Sequence, residues 1–201
     1  KPDVAMDIVK EKDFLVEADS VLVDETNIGF NYEPAMATDQ DFSTGWCTKE
    51  GGVGGELVVI FQELVKADNI GIVPGFGRDE TIYLQNNRVK ELEISFATDG
   101  GFGDAKTVEL ADGYKMHFVD LDGAEFNKIK FTIKDIHKGS KYNDTCISEV
   151  DFWSDFVKSE DEEAAMNYYV KYKKDFALTP YDIIGKVVFS DAAEDKCQNP
   201  G

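Results

Sequence analysis

The sequence predicts an all-β sandwich carrying a C-terminal α-helical extension. Three observations point there: short stretches that alternate apolar and polar residues, continuous apolar runs of strand length, and glycine clusters that separate them. Beyond residue 153 the periodicity changes to that of a helix.

Taken in order, residues 1–17 read as an N-terminal lead-in or edge strand, with Val4 and Ile8 among mixed charges. Residues 18–153 hold the sandwich. Continuous apolar runs at 57–61 and 70–73 fit buried strands. In 90–96, Leu92, Ile94 and Phe96 face one way, as do Ile129, Phe131 and Ile133 in 127–133. The stretch "EVDFW" (149–153) supplies the last strand. Between the strands lie "GGVGG" (51–55), "GFG" (75–77) and "GGFG" (100–103). A phosphate cradle needs its glycines between a strand and a helix N-terminus, whereas "GGVGG" runs into a strand, so these read as turns and bulges.

Residues 154–201 form the extension. Ser159 with Glu162 makes a capping box, acids crowd the first turn, and Lys171, Lys173 and Lys174 close a helix over 159–176. Its apolar stripe is Ala165, Tyr169, Tyr172 and Phe176. Thr179-Pro180 ends it, and 183–189 reads as one further strand or a docked extended segment.

Composition narrows the function classes. With 42% hydrophobic residues over 201 positions the chain can bury one substantial core. Forty acids against 21 bases give a formal charge of -19, which repels nucleic acid. No apolar run approaches the roughly 20 residues of a membrane-spanning helix. The start at Lys1-Pro2, without methionine, is consistent with a signal or lipid-attachment segment removed either by the cell or in preparing the chain. His117 and His137 have no nucleophile or metal motif around them, so an enzyme is not expected.

The stretch "ATDQDFSTGW" (37–46) carries oxygen ligands without helical or strand rhythm. Such a loop is fixed either by side chains bonding its own amides or by a hard cation. Calcium takes about six to eight oxygens, so a further acid must come from elsewhere, and Glu149 is the candidate. Trp46, directly after the loop, reads as a core anchor.

At these residues the chain resembles a family. The order Ala37 to Trp46, "GVGGEL" (52–57), "IGIVPG" (70–75), "NNRVKEL" (86–92) and "KGSKYNDTCISE" (138–149) is similar to the discoidin-like, galactose-binding-like jelly roll. Within it, the chain resembles the NADase-type glycan-binding, or NADase translocation, domain. The resemblance implies a module that binds rather than catalyses, found beside toxin or hydrolase domains or on bacterial surfaces. It also implies a structural calcium held by Asp39, Thr44, the carbonyls of Asp41 and Ser148, and the side chain of Glu149. Gln40 stands where the family often has glycine.

For a glycan, the loop aromatics Phe76, Tyr83, Phe102 and Tyr142 are the stacking candidates. Arg78, Asn86, Asn87, Arg88 and Lys141 are the donors to hydroxyls or an acidic sugar. Arg88 and Lys90 have a competing reading as partners of neighbouring acids. Cys47 and Cys146 fall in the two segments that the resemblance brings together; the narrow geometry of a disulfide favours two separately buried thiols. The expected function is a non-enzymatic carbohydrate-binding module of a secreted or surface-exposed bacterial protein, its partner a glycan or glycoconjugate. The alternative is an adhesin-like module that takes a host or partner protein on the same loops or on the helix.

Overall fold

Period-two burial organises the molecule, as the alternation predicts. The computed structural model describes residues 14–24 and 32–152. Trp153, the helix expected over 159–176 and the strand over 183–189 lie outside the described residues.

The strands are β1 (Phe14–Ala18), β2 (Trp46–Cys47), β3 (Glu56–Val73), β4 (Asn87–Ala97), β5 (Ala105–Glu109), β6 (His117–His137), β7 (Thr145–Ile147) and β8 (Glu149–Asp151). A short helix, α1 (Glu80–Gln85), precedes β4. The sheet order is β1-β3-β6-β4-β7-β2, with β5 on β4 and β8 on β3. β7 runs parallel to the start of β4, while β8 pairs with the end of β3. Only Ser148 separates β7 from β8, so this residue ties two distant parts of the curled sheet.

Residues 14–17, read as lead-in or edge strand, belong to the edge strand β1, which pairs with β3 from Phe14↔Phe61 to Ala18↔Leu57. One expectation changes. The runs at 57–61 and 70–73 are one strand, not two. β3 continues through a bulge between Ile60 and Val65, where Gln62, Glu63 and Leu64 turn outward. Three polar or exposed residues in a row read as a turn in sequence, but a bulge absorbs them without ending the strand.

The interior is filled by Leu57, Val59 and Phe61 from β3, Leu92 and Ile94 from β4, and Ile129, Phe131 and Ile133 from β6. Each full burial is worth about 1.5–3 kcal/mol. Trp46 is fully buried, and its indole N–H donates to the Ser20 carbonyl at 2.8 Å. The "GGVGG" stretch is a turn feeding β3. Gly52 has φ +87°, and a Cβ there would lie 2.3 Å from Thr145. Backbone and neighbour both demand glycine at that turn, with no phosphate involved.

Candidate functional site

Loops from distant parts of the chain gather around one bond. Cys47 and Cys146 form a disulfide between β2 and β7, which corrects the reading of two separate thiols. The register Cys47↔Cys146 sets the two residues directly opposite across an antiparallel pair, so their side chains meet. Around the bridge, the Cys47 amide donates to the Tyr32 carbonyl, Thr48 donates to Thr145 O, and Gly51 donates to Asn143 O. Phe76 packs on the cysteines with Leu22, Tyr32 and Ile82 at its side.

Beside this bridge lies the acid-rich loop. Asp39 Oδ1 accepts from the Asp41 amide at 2.8 Å, and Asp41 Oδ1 accepts from the Ser43 amide and hydroxyl at 2.9 and 2.6 Å. Gln40 has φ 60°, the left-handed conformation that glycine adopts without strain. The Thr44 hydroxyl lies 2.7 Å from both Asp39 Oδ2 and Asp41 O. One proton serves two acceptors there. Pairing of Trp46 with Ile147 sets Gly45 against Ser148, where a Cβ would come within 2.9 Å of Ile147 O. The loop therefore sits next to Ser148 and the start of β8 at Glu149, which is buried. Ser148 donates its amide to Val73 O and Gly75 O, and its hydroxyl accepts from the Gly77 amide at 2.8 Å. Asp39, Asp41, Thr44, Ser148 and Glu149 offer hard oxygens from adjacent segments, the donor type calcium takes.

The glycan candidates divide. Tyr83 is wholly buried in α1; its ring meets Tyr114 edge-on at 5.4 Å, and burial pushes its phenol well above the usual range. Phe76 is buried on the disulfide. Neither ring has a face left for a sugar. Asn87 is buried, donating to Asn143 O and accepting from the Gly139 amide. Arg88 is buried too. It clamps Asp112 with two nitrogens, at 3.0 and 2.6 Å, and donates to the carbonyls of Leu84, Asn86 and Lys138. These four residues build the loops instead of meeting a ligand. Asn86 likewise turns back on α1, donating to Ile82 O. Phe102 is 36% exposed but follows the far end of β4, with Lys130 over its ring at 5.1 Å. His137, at the end of β6, holds Leu110 O at 2.9 Å.

Tyr142 and Arg78 stay exposed. Tyr142 is 41% exposed with the Lys141 ammonium 4.7 Å from its ring centre. Arg78 is on the surface and within electrostatic reach of the Tyr32 hydroxyl, as are Tyr142, Asp144 and Asp24. Burial and these acids together push the Tyr32 phenol up. Asp144 is half-buried with Oδ2 3.4 Å from Cys146 Sγ, and burial pushes its carboxyl above the ordinary aspartate value. Tyr32 and Asp144 escaped the sequence reading. Asp144 stands two residues before Cys146, a signal that becomes visible only once the bridge is known.

A curled, mostly antiparallel sheet in the order β1-β3-β6-β4-β7-β2 defines a discoidin-like, galactose-binding-like sandwich. The chain belongs to the NAD glycohydrolase translocation F5/8 type C domain family, whose model matches residues 11–153. Among curated proteins none matches. Solved structures share the fold. The CBM32-1 and CBM32-2 domains of Clostridium perfringens ZmpB in complex with GalNAc align with TM-score 0.54 and 19% identity over 72% of this chain. This chain spans 34% of that one. The family 32 module of C. perfringens NanJ in complex with galactose aligns at 0.52 and 20%, covering 72% of this chain and 96% of that one. CpGH89CBM32-5 from C. perfringens, in complex with GalNAc-β-1,3-galactose, aligns at 0.57 and 14%, covering 72% and 97%.

Proposed function

We propose that this chain is a non-catalytic carbohydrate-binding module of an exported bacterial protein, with its saccharide site at Tyr32, Arg78, Tyr142 and Asp144. The observation that carries the reading is an exposed aromatic, an exposed cation and a half-buried carboxylate, all within electrostatic reach of the Tyr32 hydroxyl, on loops tied to one disulfide. An aromatic face takes sugar C–H surface, while a guanidinium and a carboxylate orient hydroxyls as donor and acceptor. Solved relatives of the same fold are described in complex with galactose and GalNAc, which supports the ligand class. The bridge supports an oxidising compartment.

A structural calcium belongs to this reading, held by Asp39, Asp41, Thr44, Ser148 and Glu149. Its chemistry would be to draw the acid-rich loop onto the start of β8. The Thr44 hydroxyl oxygen, 2.7 Å from both Asp39 Oδ2 and Asp41 O, supports it, while the bonds accepted from the Asp41, Ser43 and Thr44 amides are those of a hydrogen-bonded clasp. The protein-partner reading is weaker. With Phe76 and Tyr83 buried, Tyr142 and half-buried Tyr32 are a small anchor set beside the aromatic clusters of protein interfaces.

Titration calorimetry with galactose and N-acetylgalactosamine tests the function. Saturable binding that Tyr142→Ala abolishes in a folded protein is expected. A folded wild-type chain that binds no saccharide across a glycan array would refute it.

A further inference from the structure

The disulfide has a neighbour that it cannot bond. Asp144 Oδ2 lies 3.4 Å from Cys146 Sγ, yet a sulfur in a disulfide has neither a proton to donate nor a charge to pair. The carboxyl is half-buried, and among the described residues it holds no ion pair. Its position makes chemical sense once the bridge is open: a Cys146 thiol donates to it, and two thiolates share a cation with it.

Ligand atoms of Cys47, Asp144 and Cys146 all lie within 4.8 Å of one another, and no other three histidine, cysteine or acidic side chains among the described residues bring theirs so close. A tetrahedral zinc, with Zn–S of about 2.3 Å and Zn–O of about 2.0 Å, sets sulfur and oxygen about 3.5 Å apart and the two sulfurs about 3.8 Å apart. The Asp144–Cys146 separation already meets the first distance. The second needs only side-chain rotation, because Cys47 and Cys146 stand directly opposite in the β2–β7 pair. The backbone there is also held without the bridge: the Thr48 amide donates to Thr145 O at 2.9 Å, and the Asn87 amide donates to Asp144 O at 3.1 Å. Phe76, Leu22 and Ile82 cover the sulfurs, while half-buried Asp144 leaves an opening to solvent.

We propose that the dithiol form of this chain binds a zinc-class divalent ion through Cys47 Sγ, Cys146 Sγ and an Asp144 carboxylate oxygen, with water in the fourth position. Opening the bridge takes two electrons from a dithiol, which itself becomes a disulfide; the S–S bond breaks and the dithiol's two protons pass to the Cys47 and Cys146 sulfurs. The ion then displaces both protons to solvent. Bridge and ion are alternative closures of one junction, the first for an oxidising compartment and the second for a reducing one. The site stands whether or not the chain binds a saccharide.

The test uses the full chain with Cys197→Ser, so that only two thiols remain. Reduced and titrated anaerobically with cobalt(II), it should give the visible bands of a tetrahedral site and a thiolate-to-cobalt charge-transfer band, both removed by about one equivalent of zinc. The oxidised chain should give neither. Asp144→Asn should weaken cobalt binding at least about tenfold while leaving the oxidised chain folded. Zinc should also raise the urea midpoint of the reduced chain more than that of the oxidised one. No charge-transfer band, or equal cobalt affinity in Asp144→Asn, would overturn the assignment. A reduced chain that stays unfolded at saturating zinc would do the same.

Discussion

Arg78 and Arg88 stand on either side of the same short helix and do opposite work. Arg88 is 4% exposed, with its guanidinium spread over Asp112 and three backbone carbonyls. Arg78 is exposed, with no ion pair among the described residues. A buried charge must be satisfied by the protein itself, whereas an exposed one is satisfied by water until a ligand replaces it. Residue type therefore does not reveal a binding arginine; the completeness of its partners does. The same contrast separates Tyr83, sealed against Tyr114, from Tyr142, open beside Lys141.

The contrast can be broken most severely at the bridge. Cys47 and Cys146 lie 99 residues apart, and removing a disulfide that closes so long a loop should cost about 3–4 kcal/mol. Urea unfolding of Cys47→Ser/Cys146→Ser against the oxidised chain checks this, and the variant should also lose saccharide binding. Arg88→Ala comes next, with about 2–3 kcal/mol lost, because three backbone carbonyls lose their donor while exposed Asp112 turns to water. Arg78→Ala should leave the urea midpoint nearly unmoved, within about 0.5 kcal/mol, and act on binding alone. A large stability loss there would erase the distinction.

Protonation sharpens the comparison more gently. Arg88 holds the Asp112 carboxyl below the ordinary aspartate value, so its contribution is present above the unfolded-state pKa and lost as pH falls through the folded one. Arg88→Ala should flatten that part of the acid limb in melting curves. Asp144 has the opposite sign. Its raised folded pKa means the fold is favoured while the carboxyl is protonated, and stability falls as pH rises from the unfolded to the folded value. Asp144→Asn should thus be neutral or slightly stabilising at pH 7 in thermal melts, and should weaken saccharide binding. A clear loss of stability would make Asp144 part of the scaffold.

Much of the fold was legible. Leu92 with Ile94 and Ile129, Phe131 and Ile133 alternate in sequence and are all fully buried. The motif order placed the Asp39 loop and the Ser148–Glu149 segment in one region, and the pairing of β2 with β7 puts them side by side. Loop side chains were harder to read, because turn glycines fix where a chain bends and not which way its side chains point. Phe76 lies between two glycines as an exposed platform would, yet it folds inward onto a disulfide. Arg88 and Asn87 looked like surface donors because their partners, Asp112, Lys138 and Asn143, come from distant parts of the chain.

The most direct test is a chemical-shift map of the full chain titrated with a bound saccharide. The account predicts perturbations centred on Tyr32, Arg78, Tyr142 and Asp144, with Arg88 and Tyr83 responding only weakly beneath them. Perturbations centred on Phe102 and the far end of β4 would contradict it.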